Sequence, residues 1–107
     1  MAELNKDPSV LEALAELRRR FGDDAFDVVD HWDADLMAIG VATRTEHGQL
    51  VYFSTATDHS GRFYVELEEP PVSGDDFPYK STGVFDDVDF NELATLVAQH
   101  LRLSAPP

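Results

Sequence analysis

The residues whose types and spacing could do chemistry lie in the run His31-Trp-Asp33-Ala-Asp35. In an extended segment these three polar side chains project to one side, and an imidazole with two carboxylates can hold a divalent metal or transfer protons. The run is also predicted to cross a turn, where aspartates cap backbone amides and the three groups would separate. A small metal-dependent or acid/base enzyme is therefore kept as the alternative hypothesis. The other histidines lie in different predicted elements: His47, His59 and His100.

Other catalytic signatures are missing from the sequence. The chain has no cysteine, so it has neither a thiol nucleophile nor a thiolate metal site. Its serines stand in no nucleophile elbow, and its six glycines are scattered rather than gathered into a phosphate-binding loop. The sequence therefore predicts a protein without enzymatic activity and without a cofactor.

Charge is the most unusual feature of the composition. Twenty-one acidic residues against eight Lys and Arg give a formal net charge of −13. This charge opposes direct binding to nucleic acid or anionic lipid, and it favours a basic protein partner or mimicry of nucleic-acid phosphates. The competing interpretation is that acidity only keeps the protein soluble.

The amino terminus and the hydropathy suggest a compartment. The first residues lack the basic and apolar regions of a signal peptide, and no run approaches the roughly 20 apolar residues of a membrane span. The absence of cysteine fits a reducing environment. A cytoplasmic protein is expected.

The elements that must position any site form a predicted α-β-β-β-β-(β)-α order. Helices are predicted from Asp7, which precedes Pro8, and from Asp89, whose partner in a capping box is Glu92. The central hairpin turns at 46–49, where Gly48 is free to take positive φ. The other predicted strands are 26–32, 62–68 and a short edge strand at 79–85. We therefore expect one α+β domain over 1–107, with a frayed tail at 103–107. It is a two-layer fold, in which an antiparallel four- to five-stranded β-meander carries the N- and C-terminal helices on one face.

The other sheet face is predicted to remain open and to bind a partner. Alternation places two tyrosines, a serine and two glutamates there, beside a row of small residues at 38, 40 and 42. Tyrosine gives a rigid contact surface, and carboxylates around it would attract Lys or Arg. A solvated sheet face also contains such residues without any function. The predicted partner-binding residues, including two loop aspartates, are Tyr52, Ser54, Tyr64, Glu66, Glu68, Asp75 and Asp76.

Several segments resemble the small acidic immunity proteins encoded beside bacterial polymorphic and contact-dependent toxins. They are the helix end Leu-Arg-Arg-Arg-Phe-Gly, the strands Ala-Ile-Gly-Val-Ala and Gly-Gln-Leu-Val-Tyr-Phe, and the helix start Val88-Asp89-Phe90. The resemblance implies a cytoplasmic protein that binds one cognate toxin, often a nuclease, and blocks its active site. It assigns no residue roles, because these families diverge most where they touch their toxins.

Overall fold

The computed structural model describes residues 6–29, 36–57, 61–70 and 80–103. Within them, five strands run in sequence between two helices. The elements are α1 Pro8–Phe21, β1 Asp27–Val29, β2 Ala38–Ala42, β3 Leu50–Ser54, β4 Phe63–Glu69, β5 Lys80–Val88 and α2 Phe90–Leu101.

Both helices begin at the caps that the sequence predicts. The Asp7 carboxylate accepts the backbone N–H of Ser9 at 3.0 Å, and Pro8 occupies the first helical position. The Asp89 carboxylate accepts the Glu92 N–H at 2.8 Å, while the Glu92 side chain accepts the Asp89 N–H. These bonds satisfy amide groups that have no partner inside the helix, which fixes where each helix starts.

The sheet is an antiparallel meander in the order β1-β2-β3-β4-β5. The predicted central hairpin is confirmed, with Ile39 opposite Phe53 and Gly40 opposite Tyr52. In the next pair, Phe53 lies opposite Val65. Since directly opposed residues share a face, most bulky apolar residues of β2, β3 and β4 lie on one face of the sheet, while Leu50 lies on the other.

Both helices pack on the bulky face of the sheet. One core cluster joins Leu14 and Leu17 of α1 and Leu93 of α2 to Phe53 and Val65 of the sheet. None of these five side chains is more than 2% exposed. The predicted α+β fold, a two-layer antiparallel meander with both helices on one face, is therefore confirmed.

Two strands have different bounds from those predicted. The predicted strand 26–32 is seen as β1 over Asp27–Val29, and residues 30–35 lie outside the described part of the chain. The edge strand predicted at 79–85 is β5, which continues to Val88. Before Val88, which pairs with Phe63, β5 has one extra residue in a bulge at Asp86-Asp87. Gly83 lies within the strand, and the Phe85 ring and the Leu67 side chain lie next to the position that a Cβ would occupy there.

Two smaller expectations also differ. Gly48 does not take a positive φ; among the described residues the glycines that do are Gly22 and Gly61. Gly48 is needed for a close approach instead, since a Cβ there would come within 3.1 Å of the Pro70 Cα. Leu103, at the start of the predicted tail, packs against the core and donates its N–H to Ala98.

Candidate functional site

The candidate site is built on the sheet face that neither of the two described helices covers, here called the helix-free face. Tyr52 of β3 and Tyr64 of β4 lie on it with ring centroids 6.1 Å apart and ring planes at 78°. The strand register creates this pair, because Tyr52 lies opposite Glu66 and Ser54 lies opposite Tyr64. Four of the predicted contact residues are thus brought together by two adjacent strands.

A cleft of about 450 Å³ opens beside the two tyrosines. Its walls come from β3, from the segment that follows β3, from β4 and from β5. The lining residues are Tyr52, Ser54, Ala56, Thr57, Tyr64, Asp86 and Asp87. Four of them, at 56, 57, 86 and 87, are not among the predicted contact residues; the positions of the last two depend on how β5 pairs with β4.

The acidic wall of the cleft is the bulge in β5. Asp87 has φ +58°, a left-handed conformation that a non-glycine residue rarely adopts. Arg62 holds this residue by donating to its carboxylate at 3.1 Å and to its backbone carbonyl. The edge strand predicted at 79–85 ends before Asp86 and Asp87, whereas both belong to β5 and face Tyr64 across the bulge.

Glu68 differs from its predicted environment. Strict alternation predicts a water-exposed side chain, but Glu68 is 5% exposed, between Leu50 on β3 and Ser81 on β5. Burial, and after it the charge of Glu66, raise its pKa to about 7. Its carbonyl accepts a hydrogen bond from the His100 ring at 2.7 Å, which joins β4 to α2. Glu68 is therefore a titrating group beneath the surface of the face.

The pKa of Tyr64 reflects its burial and the negative charges near it. Burial, the charge of Glu66, a 3.4 Å hydrogen bond from the Tyr64 hydroxyl to Glu66, and the charge of Asp86 all raise the pKa of Tyr64. Each of these carboxylates disfavours a tyrosinate next to it. A cation bound in the cleft would meet the carboxylates of Asp86 and Asp87 and the neutral phenol of Tyr64.

The protein-family models, the curated proteins and the solved structures give no match to this chain.

The accessible part of the helix-free face is narrower than predicted. The small residues of β2 are fully buried, with Ala38 and Ala42 at 0% exposure. Ala42 forms a second, small apolar cluster with Val29 and Leu50, against which Tyr52 packs. Ser54 is also buried, and its hydroxyl accepts the N–H of Ala56. The accessible part of the face therefore runs from β3 to β5.

The remaining predicted site residues cannot be placed on this face. His31, Asp33 and Asp35 lie outside the described residues, and so do Asp75 and Asp76. Over the described ranges, no group of three or more His, Asp or Glu side chains converges as a metal site would require. The metal hypothesis for the 31–35 run thus stays a prediction. A rise in melting temperature on adding Zn²⁺ or Mn²⁺ would support it, and no rise would remove it.

Neither of the two described helices is both long and apolar enough to cross a bilayer.

Proposed function

We propose that this protein is a non-enzymatic acidic binding module that docks on a basic protein and inhibits it. One observation carries the proposal: an edge-to-face tyrosine pair lies on the helix-free sheet face, with Glu66 and Asp86 close enough to perturb Tyr64. Large aromatic side chains at the centre of an interface, with charges around them, are the usual energetic anchors of protein docking.

The electrostatics of the face favour a cationic partner. Glu66 raises the pKa of Glu68, because the negative charges of the two carboxylates repel each other when Glu68 is ionised. A Lys or Arg from a partner would relieve that repulsion. The overall charge of −13 would also speed the encounter with a basic surface through long-range attraction.

The resemblance to immunity proteins supports a narrower form of the proposal. In this form the basic partner is a bacterial toxin, the complex forms in the cytoplasm, and the uncovered face covers the toxin's catalytic surface. A basic nuclease would present the Lys and Arg groups that otherwise bind phosphate, and acidic side chains complement such a surface.

The test begins with a pull-down of a candidate partner, the product of the neighbouring gene, by the purified protein. Affinity is then measured for the wild type, for Glu66→Lys, and for Glu12→Lys on the exposed surface of α1. The two variants change the net charge equally, but only Glu66 borders the tyrosine pair. We expect Glu66→Lys to weaken binding by at least about tenfold, as loss of an interface anchor does. Glu12→Lys should alter mainly the association rate.

Salt separates the proposal from an enzymatic function. Affinity for a basic partner should fall steeply as ionic strength rises, because the Debye length shrinks from about 30 Å at 0.01 M to about 10 Å at 0.1 M. Equal weakening by Glu12→Lys and Glu66→Lys would show that overall charge, not this face, determines binding. Salt-insensitive turnover of a small substrate would contradict the proposal altogether.

A further inference from the structure

The outer edge of β5 exposes apolar side chains on both faces of the sheet. Val84, on the helix-free face, is 56% exposed, and Phe85, on the helix face, is 38% exposed. Within the described residues β5 is the last strand of the sheet, and no strand pairs with its outer edge. Proteins usually protect an edge strand with charged side chains, proline or a covering segment. β5 has irregularities at 82 and at Asp86-Asp87, so the regular part of its edge centres on Val84 and Phe85, where an added strand would pair.

A cleft of about 360 Å³ lies where β5 meets α2. Its apolar surface comes from the exposed Phe85 together with Val88 and Leu96, and its rim carries two carboxylates. The lining residues are Phe85, Val88, Asp89, Asn91, Glu92, Thr95 and Leu96. The cleft therefore suits one apolar side chain.

We propose that β5 binds an extended segment of the basic partner as a sixth strand of the sheet. The segment alternates apolar residues with Lys or Arg, and one apolar side chain enters the cleft beside Phe85. This inference rests on the proposed function, because it assumes a basic partner. It goes further by naming the conformation of the partner's segment and the edge that receives it. Backbone hydrogen bonds along the edge supply affinity, and the cleft selects the side chain.

Strand geometry links this edge to the tyrosine face. Side chains two residues apart on a strand lie on the same side, about 7 Å from each other. One set of the added strand's side chains would lie over the Phe85 cleft, near Glu92. The other set would continue the helix-free face beside Val84 and Asp86, which lines the tyrosine cleft. One partner could thus occupy both surfaces at once.

A second copy of this chain is the other possible occupant of the edge, and charge argues against it. Each copy has a net charge of −13. Pairing β5 with β5 would bring the Asp86-Asp87 bulges of two copies onto one sheet, near the carboxylates at both α2 starts. Like charges brought together in this way repel, whereas a basic segment is attracted.

The test uses nine-residue peptides in which Lys alternates with Val, Leu or Phe. Fluorescence anisotropy measures their binding to the full chain, and amide hydrogen exchange shows which backbone groups they protect. The controls are peptides of the same composition with the lysines grouped together, and peptides N-methylated at alternate residues. N-methylation removes the donors of one edge without changing the side chains. We expect the alternating peptides to bind, the grouped ones to bind at least about tenfold more weakly, and β5 amides to gain protection.

Matched variants locate the peptide on the protein. Val84→Lys places a positive charge on the edge, and Leu36→Lys places one on a similarly exposed apolar residue before β2. Phe85→Ala and Leu11→Ala remove two side chains that are both 38% exposed, the second one on α1. Val84→Lys and Phe85→Ala should each weaken binding by at least about tenfold. Leu36→Lys and Leu11→Ala should change it by less than about twofold.

The outcomes separate this inference from the proposed function. Loss of binding only in the β5 variants, with protection of β5 amides, supports it. Peptide binding that is insensitive to Val84→Lys but lost in Glu66→Lys overturns it and leaves the proposed function standing. Failure of every alternating peptide to bind also overturns it. A dimer of the free protein that Val84→Lys dissociates would assign the edge to a second copy instead.

Discussion

Replacing Glu68 by glutamine should make the protein more stable, and the gain should grow with pH. Glu68 is 5% exposed, and its pKa is raised from 4.5 to about 7 in the folded protein. The folded state therefore keeps a proton that the unfolded state has already lost between these two values. Stability falls as pH rises through this window, which is opposite in sign to a carboxylate stabilised by a salt bridge.

The magnitude follows from the two pKa values. The raised pKa of Glu68 destabilises the folded state relative to the unfolded state by about 1 kcal/mol near pH 5 and about 3 kcal/mol near pH 8, because one pKa unit corresponds to about 1.4 kcal/mol. Glu68→Gln keeps the side chain's shape and removes its charge. We expect the variant to be more stable than the wild type, by about 2 kcal/mol more near pH 8 than near pH 5.

Urea unfolding of both proteins at the two pH values measures this difference, since groups that titrate alike in both proteins cancel. Glu66→Gln is a graded control, because the Glu66 charge is the smaller of the two causes of the shift. It should lower the pKa of Glu68 only in part. A stability difference between Glu68→Gln and the wild type that is the same at both pH values would refute the reasoning. So would a Glu68 pKa near 4.5 from carboxyl NMR.

Three further predictions test other parts of the structure. Asp89→Ala removes the capping box of α2 and should cost about 1 kcal/mol of unfolding free energy, whereas Asp89→Asn should cost less; urea midpoints check this. Gly48→Ala should destabilise by about 1 to 3 kcal/mol in the same assay, because its Cβ would press on the Pro70 backbone. The pKa of Tyr64 should fall towards its ordinary value in Glu66→Gln, measured by ultraviolet titration; an unchanged titration would contradict the assigned cause.

The layered fold could be predicted because local rules and long-range packing agree in this sequence. The caps at Asp7 and Asp89 are chemical signals that need no tertiary contact. The alternation around Ile39 and Phe53 likewise marks one face of a strand for the core wherever that strand pairs. The apolar stripes of the helices and the apolar face of the sheet can then be buried against each other in two layers.

The details of the candidate site could not be predicted, because they depend on partners distant in sequence. Alternation correctly places Glu68 on the same face as Tyr64, but it does not tell which positions of that face are covered. Leu50 and Ser81, the neighbours of Glu68 across the two ladders, lie 18 and 13 residues away along the chain. The Asp87 bulge was missed for the same reason. Its left-handed backbone is held by Arg62, a contact that only the β4–β5 register creates.

These contacts also connect the stability of the face to its proposed use. Glu66 raises the pKa of Glu68, so the two carboxylates repel each other in the free protein once Glu68 is ionised. A cation that weakens this repulsion when it docks must, by linkage, bind more tightly where the repulsion is greater. Glu68 is half ionised at about pH 7, so a basic partner should gain affinity as rising pH ionises it. The pH range in which the raised pKa of Glu68 destabilises the free protein is therefore also the range in which binding of a basic partner should stabilise it most.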